Sequence, residues 1–234
     1  AGYGAYVAAH SHVVFGKASG FAAALDLSTL DGADGFRVGL YSNLSVASAG
    51  DVNGDGFDDL IVGAFDYDPG GDSGAGESYV VFGKASGFAA DFDLSTLNGT
   101  NGFRLDGIDA GDRSGFSVAS AGDVNGDGFD DILIGARSAY VGDSNVGESY
   151  VVFGKLTGFT ATFDLSTLDG SNGFRLDGID FGDRSGHSVS SAGDVNGDGF
   201  DDILIGAPEA NTGGGYDAGE SYVVFGKATG FAAA

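Results

Sequence analysis

The nonapeptide DVNGDGFDD occupies residues 51–59 and returns letter for letter at residues 123–131 and 194–202; the three copies are called loop 1, loop 2 and loop 3. Each copy follows SVASAG or SVSSAG and runs directly into the apolar stretch LIVGA or ILIGA. Short apolar segments on both sides of a Gly/Asn/Asp-rich turn are typical of two strands and their connection. The nonapeptide therefore predicts a β-hairpin connection that is unusually rich in carboxylates.

The nonapeptide belongs to a longer repeat that covers nearly the whole chain. VVFGK occurs four times, at 13–17, 80–84, 151–155 and 223–227. DLSTL follows it three times, at 26–30, 93–97 and 164–168, and GFR follows DLSTL each time, at 35–37, 102–104 and 173–175. Each full unit contains four strand-like segments separated by Gly, Asn and Asp, and DLSTL is long enough for one helical turn. Repeated units of this length predict a structure built by stacking.

We predict an all-β fold of β-propeller blades with four antiparallel strands each, about three blades in all. Residues 1–234 would form one propeller segment, divided into a partial blade 1–40, blades 41–108 and 109–179, and a partial blade 180–234. A β-solenoid is the weaker alternative, because its coils are far shorter than this repeat. Since propellers usually close with four to eight blades, we expect either a segment of a longer propeller or self-association.

Composition narrows the classes of function. The chain carries 34 acidic and 10 Lys/Arg residues, a formal charge of −24, which argues against nucleic-acid binding and against an anionic membrane surface. It has no Cys, and no apolar run long enough for membrane insertion. No signal-peptide pattern opens the sequence, and the absence of Met predicts a processed product or a piece of a longer chain.

Acidic residues at alternate positions of loop 1 predict a calcium site. Positions 1, 3, 5 and 9 (Asp51, Asn53, Asp55, Asp59) offer side-chain oxygens, and Phe57 at position 7 offers its carbonyl, which suits the 6–8 oxygen ligands of calcium. An EF-hand is excluded because position 12 is apolar and no helices flank the loop. A plain Asn-Gly turn and a magnesium site are the weaker alternatives, and position 8 is expected to point outward.

The run GFSVASAGDVNGDGFDDILIGA at 115–136 resembles the FG-GAP repeat of integrin α-subunits and related bacterial surface proteins, and residues 206–208 even read GAP. The first unit departs from the pattern, with LYSNLS at 40–45. The resemblance implies a seven-bladed propeller in which the loop joins the first two strands of a blade and holds a structural calcium ion. About three such ions are implied, on ligands Asp51, Asn53, Asp55, Phe57 and Asp59; Asp123, Asn125, Asp127, Phe129 and Asp131; and Asp194, Asn196, Asp198, Phe200 and Asp202.

Catalysis is not predicted, and no cofactor other than calcium is expected. His10 and His12 lack an evident third zinc ligand, His187 replaces Phe116 of the preceding unit in a packing position, and the repeated GDRSG offers an Asp–Arg pair that orients a turn. No His accompanies both GDRSG copies, so a nucleophile is not indicated.

The sequence favours an extracellular module for adhesion or structural assembly at the cell surface, with a protein or glycan as ligand. A calcium-dependent lectin-like module and a non-catalytic part of a larger secreted enzyme remain alternatives. The loops at 65–76, 137–147 and 208–219 differ most between units and carry Tyr67, Tyr140 and Tyr216, so they are candidates for a partner surface.

Overall fold

A computed structural model describes residues 9–40, 43–68, 71, 73–211 and 218–232. Its strands are short and follow one another with few other elements. They are β1 (Ala9–Val14), β2 (Gly35–Leu40), β3 (Ser45–Gly50), β4 (Asp59–Ala64), β5 (Glu77–Val81), β6 (Asp91–Phe92), β7 (Gly102–Asp106), β8 (Ser117–Gly122), β9 (Asp131–Ala136), β10 (Tyr140–Val141), β11 (Ser144–Asn145), β12 (Glu148–Val152), β13 (Thr162–Asp164), β14 (Gly173–Asp177), β15 (Ser188–Gly193), β16 (Asp202–Ala207) and β17 (Glu220–Val224).

The strands form blade-like antiparallel sheets in chain order. The four strands β3–β4–β5–β7 make one complete blade, and β8–β9–β12–β14 make the next. Before them β1 pairs with β2, and after them β15, β16 and β17 form a three-stranded sheet. The prediction of an all-β fold with four-stranded antiparallel blades is confirmed. Among the described residues, no helix is long and apolar enough to cross a membrane.

Each DLSTL segment forms a single 3-10 turn, over Leu27–Thr29, Leu94–Thr96 and Leu165–Thr167. The preceding aspartate of each segment caps the turn, because its carboxylate accepts a hydrogen bond from the backbone N–H two residues later. The turn precedes the last strand of its unit, which begins six residues after the turn ends in all three copies.

Two short strands, β6 and β13, tie neighbouring blades together and were not predicted. β6 pairs in parallel with β2, and β13 with β7, so the connection between the third and fourth strands of one unit extends the sheet of the preceding unit. They have only two and three residues. Such short segments carry no readable hydrophobic alternation, which is why the sequence did not reveal them.

Phenylalanines seal the junctions between successive units. The ring of Phe159 stacks on Phe103 of the preceding unit with centroids 4.7 Å apart and an interplanar angle of 15°. The equivalent pairs, Phe88 on Phe36 and Phe231 on Phe174, both have centroids 4.4 Å apart. Phe88 and Phe159 come from the connections that carry β6 and β13, so at these two junctions the strand exchange and the ring stack form one joint.

The two ends of the stack expose apolar surface that is buried elsewhere in the repeat. In the last sheet Leu204 is 38% and Val223 47% exposed, whereas the equivalent Leu133 and Val151 are both fully buried. At the other end Phe21, the counterpart of the stacked phenylalanines, is 53% exposed. Residue type is the same at matching positions, so the difference comes from whether a neighbouring blade covers the face.

Candidate metal-binding loops

All three nonapeptides connect the first strand of a sheet to the second, between β3 and β4, β8 and β9, and β15 and β16. The turn chemistry predicts such a hairpin connection, and the family resemblance implies its place between the first two strands. The first strand ends in a register shift, between Ser48 and Gly50 in the first copy, and the same shift recurs in the others. The loops therefore lie at the same end of three successive sheets, one beside the next.

Position 1 organises the interior of each loop. In loop 1, Asp51 Oδ1 accepts a hydrogen bond from Asp55 N at 3.0 Å, and its Oδ2 accepts one from Gly56 N at 2.9 Å. The carboxylates of Asp123 and Asp194 accept the same bonds in loops 2 and 3. Both carboxylate oxygens of position 1 thus point into the loop, toward the backbone of positions 5 and 6.

Positions 3 and 5 lie against each other on the same side. In loop 2, Asn125 Oδ1 accepts from Asp127 N at 2.8 Å, and Asn125 Nδ2 donates to Asp127 Oδ2 at 3.0 Å. Asp127 Oδ1 in turn accepts from Phe129 N at 3.0 Å. The structure therefore brings the predicted side-chain ligands at positions 1, 3 and 5 together in one small turn, with the residue of position 7 held next to them.

Position 9 is buried and faces a different set of backbone donors. Asp131 is fully buried; its Oδ2 accepts from Val124 N at 3.0 Å and its Oδ1 from Gly154 N at 2.9 Å. Burial, with a smaller contribution from the nearby negative charges of Asp127 and Asp123, raises the pKa of Asp131 to about 8. Asp59 has the same environment, and burial raises its pKa to about 7. Burial and neighbouring carboxylates disfavour the ionised form of this carboxyl group, and a nearby positive charge would favour it.

The donor set fits a hard divalent cation. Its side chains supply only carboxylate and amide oxygens, and no Lys or Arg ion pair in the described part of the chain reaches a loop carboxylate. At the same time, no group of three His, Cys, Asp or Glu side chains within the described ranges is already closed around one point. The 15 assigned ligands therefore stay a prediction.

The opposite end of the sheets carries the GDRSG turns. The Asp–Arg pairing expected there does not form in the second copy, because Arg184 Nη1 pairs with Glu209 Oε1 at 2.9 Å. Asp183 is instead buried and accepts from Asp180 N at 3.1 Å, so a backbone bond orients the turn. The imidazole ring of His187 packs beside the ring of Phe116, with the two centroids 5.1 Å apart. Burial, together with nearby arginines, lowers the pKa of His187. That position is a packing position, as the sequence indicates.

Comparison with known proteins places these features in a family. The model of the FG-GAP repeat matches residues 43–81, 114–152 and 185–224, which together make up half of the chain and contain all three loops. This chain belongs to the FG-GAP repeat family. Each matched segment begins just before the first strand of a sheet and ends with the third, so the FG-GAP match coincides with the strands that flank each loop.

The FG-GAP chain is similar to larger proteins. It is 31% identical to integrin alpha-V of Gallus gallus over 186 residues and 34% identical to integrin alpha-4 of Xenopus laevis over 184 residues, covering 78% and 77% of this chain. It is also 34% identical to phosphatidylinositol-glycan-specific phospholipase D of Bos taurus over 178 residues, covering 74%. The matches span 16% of each integrin chain and 20% of the phospholipase.

The contact of position 8 with the neighbouring loop is the feature that sequence reasoning missed. Asp58 is exposed, as expected for an outward-pointing side chain. Its counterparts are not: Asp130 accepts a hydrogen bond from Asp51 N at 2.7 Å, and Asp201 accepts one from Asp123 N at 3.0 Å. The signal was the verbatim repetition of Asp at position 8, which a solvent-exposed side chain does not require.

Proposed function

We propose that this chain is a calcium-binding FG-GAP propeller module in which each nonapeptide holds one structural calcium ion. The observation that carries the proposal is the fully buried carboxylate of Asp131, which lies beside the acidic turn of positions 1 to 5 with no Lys or Arg partner among the described residues. Calcium prefers such carboxylate, amide and carbonyl oxygens. When bound, the ion would neutralise the charges that crowd each turn.

Five residues of each loop would hold the ion: the side chains of positions 1, 3, 5 and 9 and the carbonyl of position 7. In loop 2 they are Asp123, Asn125, Asp127, Asp131 and Phe129. Backbone N–H groups of the loop already orient the side chains of positions 1, 3 and 5 through hydrogen bonds. Binding free energy would therefore appear as folding free energy, which is the role of a structural ion.

The test combines native mass spectrometry with thermal melting. Protein freed of metal with a chelator should bind up to three calcium ions, and its Tm should rise with calcium concentration. An ion that binds only the folded state stabilises that state by about 2.7 kcal/mol per site when its free concentration is 100 times the Kd. D127N should lose or weaken one of the three sites, whereas D143N, a control at an exposed acid outside the loops, should change none. A calcium-free mass and an unchanged Tm would refute the proposal.

We further propose that the module acts outside the cell, in adhesion or as a structural unit of a surface assembly, and that it is not itself an enzyme. The similarity to two integrin alpha chains supports this, and extracellular calcium is concentrated enough for sites of modest affinity. The relevant test is adhesion of beads coated with the protein to protein-coated or glycan-coated surfaces, with calcium and with a chelator. Calcium-independent or absent retention on every surface would contradict an adhesive role.

Further FG-GAP blades are the partners that the end faces fit best, whether they come from the same protein or from a second copy. Support comes from the last sheet, where Val195 and Phe225 are 58% and 54% exposed although their counterparts Val124 and Phe153 are buried under the next blade. Sedimentation velocity over a range of concentrations tests the second copy. A strict monomer would leave blades of the same protein as the cover. The division into blades at 41–108 and 109–179 forms part of this proposal.

A second candidate is a propeller portion of a larger secreted enzyme, which the similarity to a phospholipase D favours. In that case this chain would contribute scaffold and calcium sites, and the catalytic residues would lie elsewhere. Phosphodiesterase assays on the isolated chain test the claim that both candidates share, because calcium-dependent hydrolysis by this chain alone would contradict both.

A further inference from the structure

Position 8 of loops 2 and 3 reaches the loop of the preceding blade. The carboxylate of Asp130, in loop 2, accepts the hydrogen bond from Asp51 N at 2.7 Å, and Asp130 N donates to Asp51 O at 3.2 Å. Asp201, in loop 3, makes the same two bonds with Asp123, at 3.0 and 3.1 Å. One residue thus clamps both backbone groups of position 1 in the neighbouring loop, and the arrangement occurs at both junctions between loops.

The neighbouring loop is shaped to receive this carboxylate. A Cβ at Gly50, the last residue of β3, would lie 2.2 Å from Asp130 Oδ2, and one at Gly122 would lie 2.1 Å from Asp201 Oδ2. The matching Gly193 of the last sheet would meet nothing within 4 Å. Glycine at the end of the first strand therefore makes room for the aspartate of the next blade.

Two more contacts join the same pair of blades beside these loops. The ring of Phe129 covers Gly54 so closely that a Cβ there would lie 2.4 Å from its Cε1 atom, and Phe200 covers Gly126 at the same distance. Behind the ring, Lys155 N donates to the carbonyl of Val52 at 2.9 Å, with an equivalent bond at the next junction. Neighbouring loops are therefore in continuous contact.

We propose that Asp130 and Asp201 are positioning residues that couple the three loops, so that an ion bound in one loop raises the affinity of the preceding loop. This inference rests on the proposed calcium function. Asp130 lies between Phe129 and Asp131, two predicted ligands of loop 2, and it holds Asp51, a predicted ligand of loop 1. An ion that orders loop 2 orders its position 8, and the clamp then fixes position 1 of loop 1 before an ion arrives there.

Chain organisation supplies a matched control. Asp58 occupies position 8 of loop 1 and is exposed, because the described residues before it include no nonapeptide to receive it. D58A and D130A remove the same charge from the same motif position, so any difference between them reports the contact with a preceding loop. D130N serves as the conservative variant, because an amide oxygen can still accept the hydrogen bond from Asp51 N.

Isothermal titration calorimetry of the metal-free chain with calcium tests the coupling. Native mass spectra give the fractions of chains that hold zero, one, two or three ions. The wild type should bind with a Hill coefficient above 1 and show mainly empty and fully loaded chains. D130A should bring the coefficient toward 1, populate partly loaded chains and weaken loop 1 by about 5-fold or more, the usual lower range of coupling between sites. D58A and D130N should resemble the wild type.

The outcomes separate this inference from the proposed function. A wild type that binds no calcium refutes the function and with it the coupling. A wild type that binds three ions independently, or a D130A chain whose Hill coefficient and ion distribution equal those of D58A, refutes the coupling alone. Circular dichroism in saturating calcium verifies that each variant is folded, and a D130A chain that is unfolded is replaced by D201A, which removes the clamp at the other junction.

Discussion

Replacing Phe159 by alanine should destabilise the chain by about 2–4 kcal/mol, because its ring joins two neighbouring blades. The ring stacks on Phe103 at 4.7 Å and meets the edge of Phe82 at 5.3 Å. A buried Phe side chain contributes about 1.5–3 kcal/mol through removal from water, and this one is half-buried. Each aromatic pair adds about 0.5–1.5 kcal/mol, which gives the stated range.

Urea unfolding in saturating calcium, followed by circular dichroism and by tyrosine fluorescence, measures this loss. F21A is the matched control, since Phe21 occupies the same repeat position but is 53% exposed and has no stacked ring among the described residues. It should cost less than about 0.5 kcal/mol, as exposed substitutions do. F159A should also lower the Tm by roughly 5–15 °C for a domain of this size. Equal losses for F159A and F21A would refute the idea that ring stacking holds the blades.

Three further predictions concern glycine, buried charge and the arginine end. G54A should cost about 2–4 kcal/mol and G197A only about 1 kcal/mol in urea unfolding, because both have positive φ but only Gly54 lies under a phenylalanine ring. Burial raises the pKa of Glu148 to about 7, so its protonation stabilises the fold below about pH 4.5 and this contribution is lost as the pH rises through 7. As the pH rises from 5 to 8, the free energy of unfolding of E148Q should therefore increase relative to that of the wild type, by roughly 3 kcal/mol at most. A difference between the two that does not change with pH would contradict this. R184Q should raise the pKa of His187, which nearby arginines lower, in an NMR titration; an unmoved pKa would exclude that charge effect.

Repetition made much of the fold predictable. Strands such as β9 and β12 are continuous apolar runs bounded by Gly and Asp, so their existence and order could be inferred from a single copy and verified against the others. The turn chemistry of the nonapeptide predicted a hairpin connection, and the family resemblance placed it between the first two strands of a blade. These features are local, since they depend on residues close together in the sequence.

Contacts between units could not be predicted in the same way. β13 adds to the sheet of the preceding blade and Asp130 reaches a residue 79 positions away, and neither pairing leaves a local signature in the sequence. The comparison of repeat copies offered the remaining signal. A residue that is identical in every copy, although its own loop gives it no role, is expected to contact another part of the chain. Asp at position 8 was such a residue, and a loop considered in isolation offered it no partner.

Identical loops therefore occupy different environments. Loop 2 gives its position 8 to loop 1 and receives Asp201 from loop 3, whereas the carboxylate of Asp58 in loop 1 is exposed, and a Cβ at Gly193 beside loop 3 would meet open space. Three copies of one sequence should thus differ in affinity for the same ion, in an order set by neighbours rather than by ligands. The same contacts explain how a chain of charge −24 tolerates acidic turns side by side: each carboxylate at position 8 that enters a neighbouring loop is bound to a backbone N–H there.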